Sequence, residues 1–296
     1  MNYEEFIEYV KNAVDEACAG EHKVQIRKVV KNNGCEYRAV MIIREDEHAV
    51  PTIYLEEFYD KYQMGVSLDV IVSEIIDRDI RFSGTLDLPI EEIFMFDKIR
   101  DRIRCRIVNA ETNSEILPEI PHRIEQDLAI EYYILVDSSK YGVSTALIYN
   151  DNIERWNVTE EELFEIALQN MKDEASILDI YDIFSEELPE TPGFAMYIVT
   201  NQRKIFGAMT IFLPDVLEKI LDMLGDFYIL PSSVHEVIVL AAENVDDEGY
   251  LLDMVWDVNS KHVAAEEFLS NNVYRYRKCR KSLELIKKIK SSEVLC

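Results

Sequence analysis

Glycine is scarce in this chain, with nine in 296 residues. Neither G-x-x-x-x-G-K-[ST] nor G-x-G-x-x-G occurs, and a phosphate cradle built from backbone amides needs such glycines. No nucleotide is therefore expected, and no other cofactor signature is present. Cysteine is also sparse. The five (Cys18, Cys35, Cys105, Cys279, Cys296) are scattered, odd in number and never in a C-x-x-C pair. That argues against a disulfide framework or zinc knuckle and for reduced thiols in a cytoplasm. The five histidines form neither H-E-x-x-H nor H-x-H, so no metal is expected. Asp246-Asp247-Glu248-Gly249 lacks the alternating ligands of a calcium loop and reads as a turn before a helix. No run of about eighteen apolar residues exists, which leaves no membrane-spanning segment. The start, Met1-Asn2-Tyr3-Glu4-Glu5, has neither the basic residues nor the apolar run of a secretory signal.

Positive charge is short as well. Lys and Arg total 31 against 57 Asp and Glu, for a net charge of -26. A field of that sign repels phosphate backbones, anionic lipids and acidic substrates. The imbalance is uneven. Glu154 to Glu190 is rich in acids and carries only Arg155 and Lys172 as bases, which reads as a solvated face or a dock for a basic partner. In contrast, the end of the chain interleaves aromatics with bases at Tyr274-Arg275-Tyr276-Arg277-Lys278-Cys279-Arg280-Lys281. If nucleic acid is bound at all, Arg275, Arg277, Lys278, Arg280 and Lys281 are the residues to do it. Leu283, Ile286 and Ile289 stand at helical spacing there, so a clamp onto the acidic body or a partner contact is the simpler reading.

What the chain does have is apolar material, 48% of it, enough for a sizeable core. Phe6, Val10 and Val14 recur at i, i+4, i+8 and predict a first helix. Val24 to Val30 and Tyr37 to Ile43 predict strands about Lys31-Asn32-Asn33-Gly34, where Asn and Gly tolerate positive φ. Val50 to Tyr54 reads as extended. Helices are expected over Leu55 to Tyr62 and over Leu68 to Asp79, the latter capped by Ser67 with Leu68, Ile71, Val72, Ile75, Ile76 and Ile80 as its apolar stripe. A helix over Ile90 to Arg100 leads to an alternating stretch over Ile103 to Val108, which suggests a half-buried strand, with a continuing helix as the alternative. Hairpins are expected at Ala129 to Val136 with Val143 to Tyr149, at Phe194 to Thr200 with Ile205 to Leu213, and at Tyr228 to Leu240. Helices follow each: Glu160 to Met171 with Thr159 and Glu162 as a capping box, Pro214 to Leu224, and Asp247 to Val258. The pattern predicts α+β, mainly antiparallel, built from successive β-hairpin-plus-helix units with helices packed on the sheet. The expected division is a lobe over 1–120, a lobe over 121–274 and a basic tail over 275–296.

Chemistry is thin. Pro231-Ser232-Ser233-Val234-His235-Glu236 is where hydroxyls, an imidazole and a carboxylate crowd together. A serine nucleophile needs a base in hydrogen-bond reach and a third group to orient that base. Strand alternation puts Ser233 and His235 on one face and Glu236 on the other. His122 and Asp127, in Pro121-His122-Arg123-Ile124-Glu125-Gln126-Asp127, are the groups the fold could bring to them. No G-x-S-x-G elbow accompanies the set. A hairpin turn with a hydrogen-bonded histidine explains Ser233 and His235 more simply, and a turn or cap explains His122 and Asp127.

Several segments together resemble an uncharacterised bacterial family, domain of unknown function 5688, frequent in anaerobic gut Gram-positive bacteria. They are Pro51 to Tyr59, Asp97 to Ile103, Pro121-His122 with Asp127-Leu128-Ala129, Thr200 to Ala208, Tyr228 to Ile238, and Val273-Tyr274-Arg275-Tyr276. The resemblance spans nearly the whole chain and implies no reaction, cofactor or partner. A short acidic linker before Phe194 and the basic extension after Tyr276 depart from the family pattern. The expectation is a binding or regulatory protein whose partner is another protein, with a basic surface the natural complement. The alternatives are a hydrolase on Ser233 and His235, or an acidic mimic of DNA.

Overall fold

The computed structural model describes residues 1–44, 50–82, 90–139, 142–184 and 195–287. It has two compact units, 1–93 and 94–296. The first begins with α1 (Tyr3–Ala17), followed by β1 (Lys23–Val30), β2 (Glu36–Ile43) and β3 (Ile53–Tyr54), then α2 (Glu56–Gln63) and α3 (Leu68–Phe82). Asn2 and Glu5 close a capping box at the start of α1. The strands form one antiparallel sheet in the order β1-β2-β3. Asn33 and Gly34 hold the expected positive φ in the β1–β2 turn. Phe6, Val10 and Val14 pack with Val40, Ile42, Phe58, Ile71 and Ile75 into a common core.

The stripe on α3 ends differently from its prediction. Ile80 is exposed, and Asp79 is buried beside the guanidinium of Arg44. The i+4 step from Ile71 through Ile75 falls on Asp79, so the helix itself turns that carboxylate inward.

Between α2 and α3, Arg78 donates to both oxygens of Glu57 at 2.9 and 3.0 Å, and Lys61 adds a contact at 3.2 Å. The Arg78 bond in particular holds the Glu57 carboxyl down at about 2, against 4.5 for the free group. A depressed carboxyl stabilises the fold above its unfolded value, and the gain is lost as pH falls from 4.5 toward about 2. Glu57 is half exposed, so solvent keeps the contribution below about 1 kcal/mol. Glu57→Gln is expected to flatten the fall in unfolding temperature across that acid window. A thermal series from pH 6 to about 2 checks it.

The second unit carries α4 (Phe96–Ile99), β4 (Ile103–Asn109), β5 (His122–Glu125), β6 (Leu128–Ser139) and β7 (Gly142–Leu147). After them come α5 (Asn150–Trp156), α6 (Glu160–Met171), β8 (Ala175–Asp179), α7 (Ile180–Phe184), β9 (Met196–Asn201) and α8 (Pro214–Leu224). The last elements are β10 (Phe227–Leu230), β11 (Val237–Ala241), α9 (Glu248–His262), β12 (Val273–Arg277) and β13 (Ser282–Ile286). Long β6 pairs with β4, β5 and β7. A second antiparallel sheet runs β13-β12-β10-β11-β9-β8. The class is α+β with antiparallel sheets, as the sequence predicts. Thr159 and Glu162 form the expected capping box on α6, and Pro214 opens α8.

Four expectations give way. The division falls at 93/94, not 120/121, because β4 is paired with β6 along its whole length. Over 90–100 the helix is broken by the extended backbone of Met95. Ile205 to Leu213 is not a strand: Gly207–Phe212 is a 3-10 turn, and β9 pairs instead with β8 and β11. A short apolar run buried all round has no periodicity to separate helix from strand. Finally, 275–287 is not a free tail. Arg275 and Arg277 alternate with Tyr274 and Tyr276 along β12, a period of two, and Leu283 and Ile286 lie on β13. Phe194 with its acidic linker, residues 140 and 141 of the first turn, and Ile289 lie outside the described residues.

Candidate functional site

The Pro231–Glu236 segment joins β10 to β11 and is not itself strand, so alternation does not govern Ser233 and His235. It is fixed from two sides. On one, Ala208 donates its N–H to the Val234 carbonyl at 3.3 Å, and Thr200 Oγ1 donates to the His235 carbonyl at 2.8 Å. On the other, Val234 N donates to Glu267 O at 2.9 Å, Leu269 N to Ser232 O at 3.3 Å and Ser270 N to Pro231 O at 3.1 Å. The loop after α9 thus lies along this segment.

His235 is held on every side. Its Nδ1 accepts the Phe206 N–H at 3.1 Å, which leaves the proton of the neutral ring on Nε2, and Nε2 faces Glu267 Oε1 at 3.5 Å. The imidazole stacks on the Phe206 ring at 5.8 Å and 22°. Arg106 covers that ring at 4.4 Å, and Tyr133 meets it edge-on at 5.6 Å. Arg106 is in turn paired with buried Glu131 at 2.5 Å. Phe206 and Lys204 both hold left-handed backbone, closed by Asn201, whose side chain bonds Ile205 through both N–H and C=O.

Ser233 and His235 do come together, but through the backbone: Ser233 Oγ accepts the His235 N–H at 3.0 Å. Neither ring nitrogen then offers a lone pair to a serine proton, since Nδ1 is occupied and Nε2 is protonated. Glu236, singled out beside His235 in sequence, is half-buried, and desolvation raises its carboxyl. Glu267 takes the place by the imidazole instead.

The other two sequence candidates have different partners. His122 Nδ1 is 2.9 Å from the Ile120 carbonyl, within its own turn. Asp127 sits at the β5–β6 turn and accepts from Ser270 Oγ at 2.7 Å, Asn272 Nδ2 at 2.8 Å and Tyr274 OH at 2.6 Å. Burial, and after it Asp127, pushes the Tyr274 phenol above its usual range. The acids of 154–190 are not all solvated. Glu160 and Glu161 hold Arg123, and Glu174 holds Arg104 and Arg203. The basic end is likewise engaged: Arg275 contacts Glu248, while Arg277 and Arg280 share Glu284. Among the described residues no cluster of three or more His, Cys, Asp or Glu is arranged to hold a metal ion. Nor is any described helix long and apolar enough to cross a membrane.

Phe206, Gly207, Glu267, Arg106 and Tyr274 were not singled out as site residues from the sequence. Each acts on a residue far along the chain, which spacing cannot show. Phe206, Gly207 and Tyr274 had one local signal, membership of Thr200–Ala208 and Val273–Tyr276, while Glu267 and Arg106 had none. Those two segments pair with Tyr228–Ile238 and Asp127–Ala129 respectively, so the stretches carrying the resemblance converge in space.

A model for a family of unknown function, DUF5688, matches residues 3–278. The chain belongs to this family. No curated protein and no solved structure matches it. The matched DUF5688 region takes in nearly all of the first unit and the second unit as far as the end of β12, leaving β13 outside.

Proposed function

We propose that the protein works by binding another protein, through the outer face of α9. The observation carrying this is the exposure of Tyr250 and Trp256, 68% and 58%, on a helix whose other face buries Leu251, Leu252 and Val255. Tyr and Trp dominate binding energy where interfaces have been dissected. Around them stand Asp246, Asp247, Asp253 and Asp257, so the complementary surface is basic with apolar recesses. The net charge of -26 favours the same kind of partner. Cytoplasmic residence belongs to this reading, since Cys18, Cys35, Cys105 and Cys279 are free thiols. A hydrolase on Ser233 and His235 gains no support from the bonds around the imidazole.

The test is a pull-down from lysate of the source cell, followed by purification of the retained protein. Binding is expected to weaken steeply between about 0.1 and 1 M salt. Trp256→Ala with Tyr250→Ala is expected to weaken it about tenfold or more while the unfolding temperature stays put. Retention indifferent to both salt and the double substitution would refute the reading.

A further inference from the structure

An open cleft of about 370 Å³ lies where the β5–β6 turn, the Gly207–Phe212 turn, α8, β10 and the β12–β13 hairpin meet. Small-molecule sites commonly span about 300–1,000 Å³, so the volume suits a compact ligand. Its apolar lining is Ile211 and Ile229, both buried, with half-buried Phe212, Leu217, Tyr276 and Leu283. Two charged residues also line it: Glu125 from the end of β5 and Lys281 from the hairpin turn. Neighbouring Arg277 and Arg280 are spent on Glu284. Neither Lys281 nor Glu125 makes a side-chain ion pair or hydrogen bond among the described residues.

The cleft is also held in shape. Gln126 Nε2 donates to the Leu283 carbonyl at 3.3 Å and ties the β5–β6 turn to the hairpin. Gln126 and Lys281 both keep left-handed backbone, strain that persists only where the surroundings fix it. An apolar cleft with one unpaired cation and one unpaired anion selects by charge. A purely anionic ligand meets Glu125 and a net charge of -26, and a purely cationic one meets Lys281. A zwitterion on an apolar body complements both.

We propose that this cleft binds a free apolar α-amino acid. Lys281 receives its carboxylate, Glu125 its ammonium, and the side chain lies against Phe212, Leu217 and Tyr276. This site is separate from the α9 face, so either assignment can fail without the other.

The experiment is titration calorimetry on the full chain with L-phenylalanine and L-leucine, beside 3-phenylpropanoate and 2-phenylethylamine, which each lack one charge. Saturable 1:1 binding of an amino acid is expected. Each single-charge analogue should bind about fivefold more weakly, the scale of one exposed ion pair. Lys281→Gln should weaken phenylalanine by the same factor and leave 2-phenylethylamine bound at least as tightly as before, since it removes a like charge, with Glu125→Gln the mirror case for 3-phenylpropanoate. Leu217→Trp fills the cleft and should abolish binding in a variant whose unfolding temperature is retained. No saturable binding of either amino acid, binding indifferent to both charge substitutions, or analogues as tight as phenylalanine would each overturn the proposal.

Discussion

Gly207→Ala is expected to destabilise the second unit by about 3 kcal/mol, the upper end of what overpacking usually costs. A Cβ built there lies 2.3 Å from Thr200 Oγ1, 2.5 Å from the Asn201 N and 2.6 Å from the His235 carbonyl oxygen. Two of those three atoms are backbone, so no side-chain rotation relieves the clash. The third is the hydroxyl that bonds the His235 carbonyl, and moving it breaks that bond. Gly225 supplies the contrast. It has open space around its Cβ position and a φ of 68° with ψ of -139°, so Gly225→Ala meets no clash and loses only what backbone strain costs, about 1–2 kcal/mol. Urea unfolding of both variants measures the difference. Equal and small losses would mean the β9 loop can back away from the Pro231–Glu236 segment, and the close packing around His235 would not be a constraint.

Asp127→Ala is expected to cost about 3 kcal/mol as well, for a different reason. Three donors converge on one carboxylate, from Ser270, Asn272 and Tyr274. Hydrogen bonds to a charged group are worth about 1.5–3 kcal/mol, and donors left buried without a partner add their desolvation cost. Tyr274 is the most severe case, because its side chain is buried. Tyr274→Phe removes the donor along with its bond and should cost about 1 kcal/mol. Combining the two substitutions should be less damaging than their sum, by more than about 0.5 kcal/mol, as measured by a double-mutant cycle. Strict additivity would show that Asp127 is solvated well enough to do without its phenol.

How far the sequence carries can be judged from particular stretches. α1, the β1–β2 hairpin, α6, α8 and β10–β11 were legible because local rules agree there. Each has a clear period, a cap or turn residue, and few alternatives. The β4–β6 pairing moved the boundary between units, and no local rule encodes a pairing. Ile205 to Leu213 failed because a run buried on all sides gives no period. The C-terminal strands failed because Leu283 and Ile286 fit a helix as well as a strand over so short a length. At the site, the sequence located His235 and Asp127 as residues of interest. It could not locate Phe206, Glu267 or Tyr274, which define what those two do. The sequence gives the identity of a polar residue, but its protonation state and partner come from the fold.

The bond from Tyr274 to Asp127 spans 147 positions, and that from Asn109 to the Leu269 carbonyl spans 160. These closures have a consequence for synthesis on the ribosome. The core of the first unit is built from residues within 1–93 and can form while the rest is still being translated. The second cannot complete the seam along the Pro231–Glu236 segment until the loop after α9 has left the exit tunnel. Synthesis must run some fifty residues past β10, through Tyr276, before β10 gains β12 as its neighbour. Until then β10 is an unpaired sheet edge in a nascent chain, the state in which such a chain most needs a chaperone.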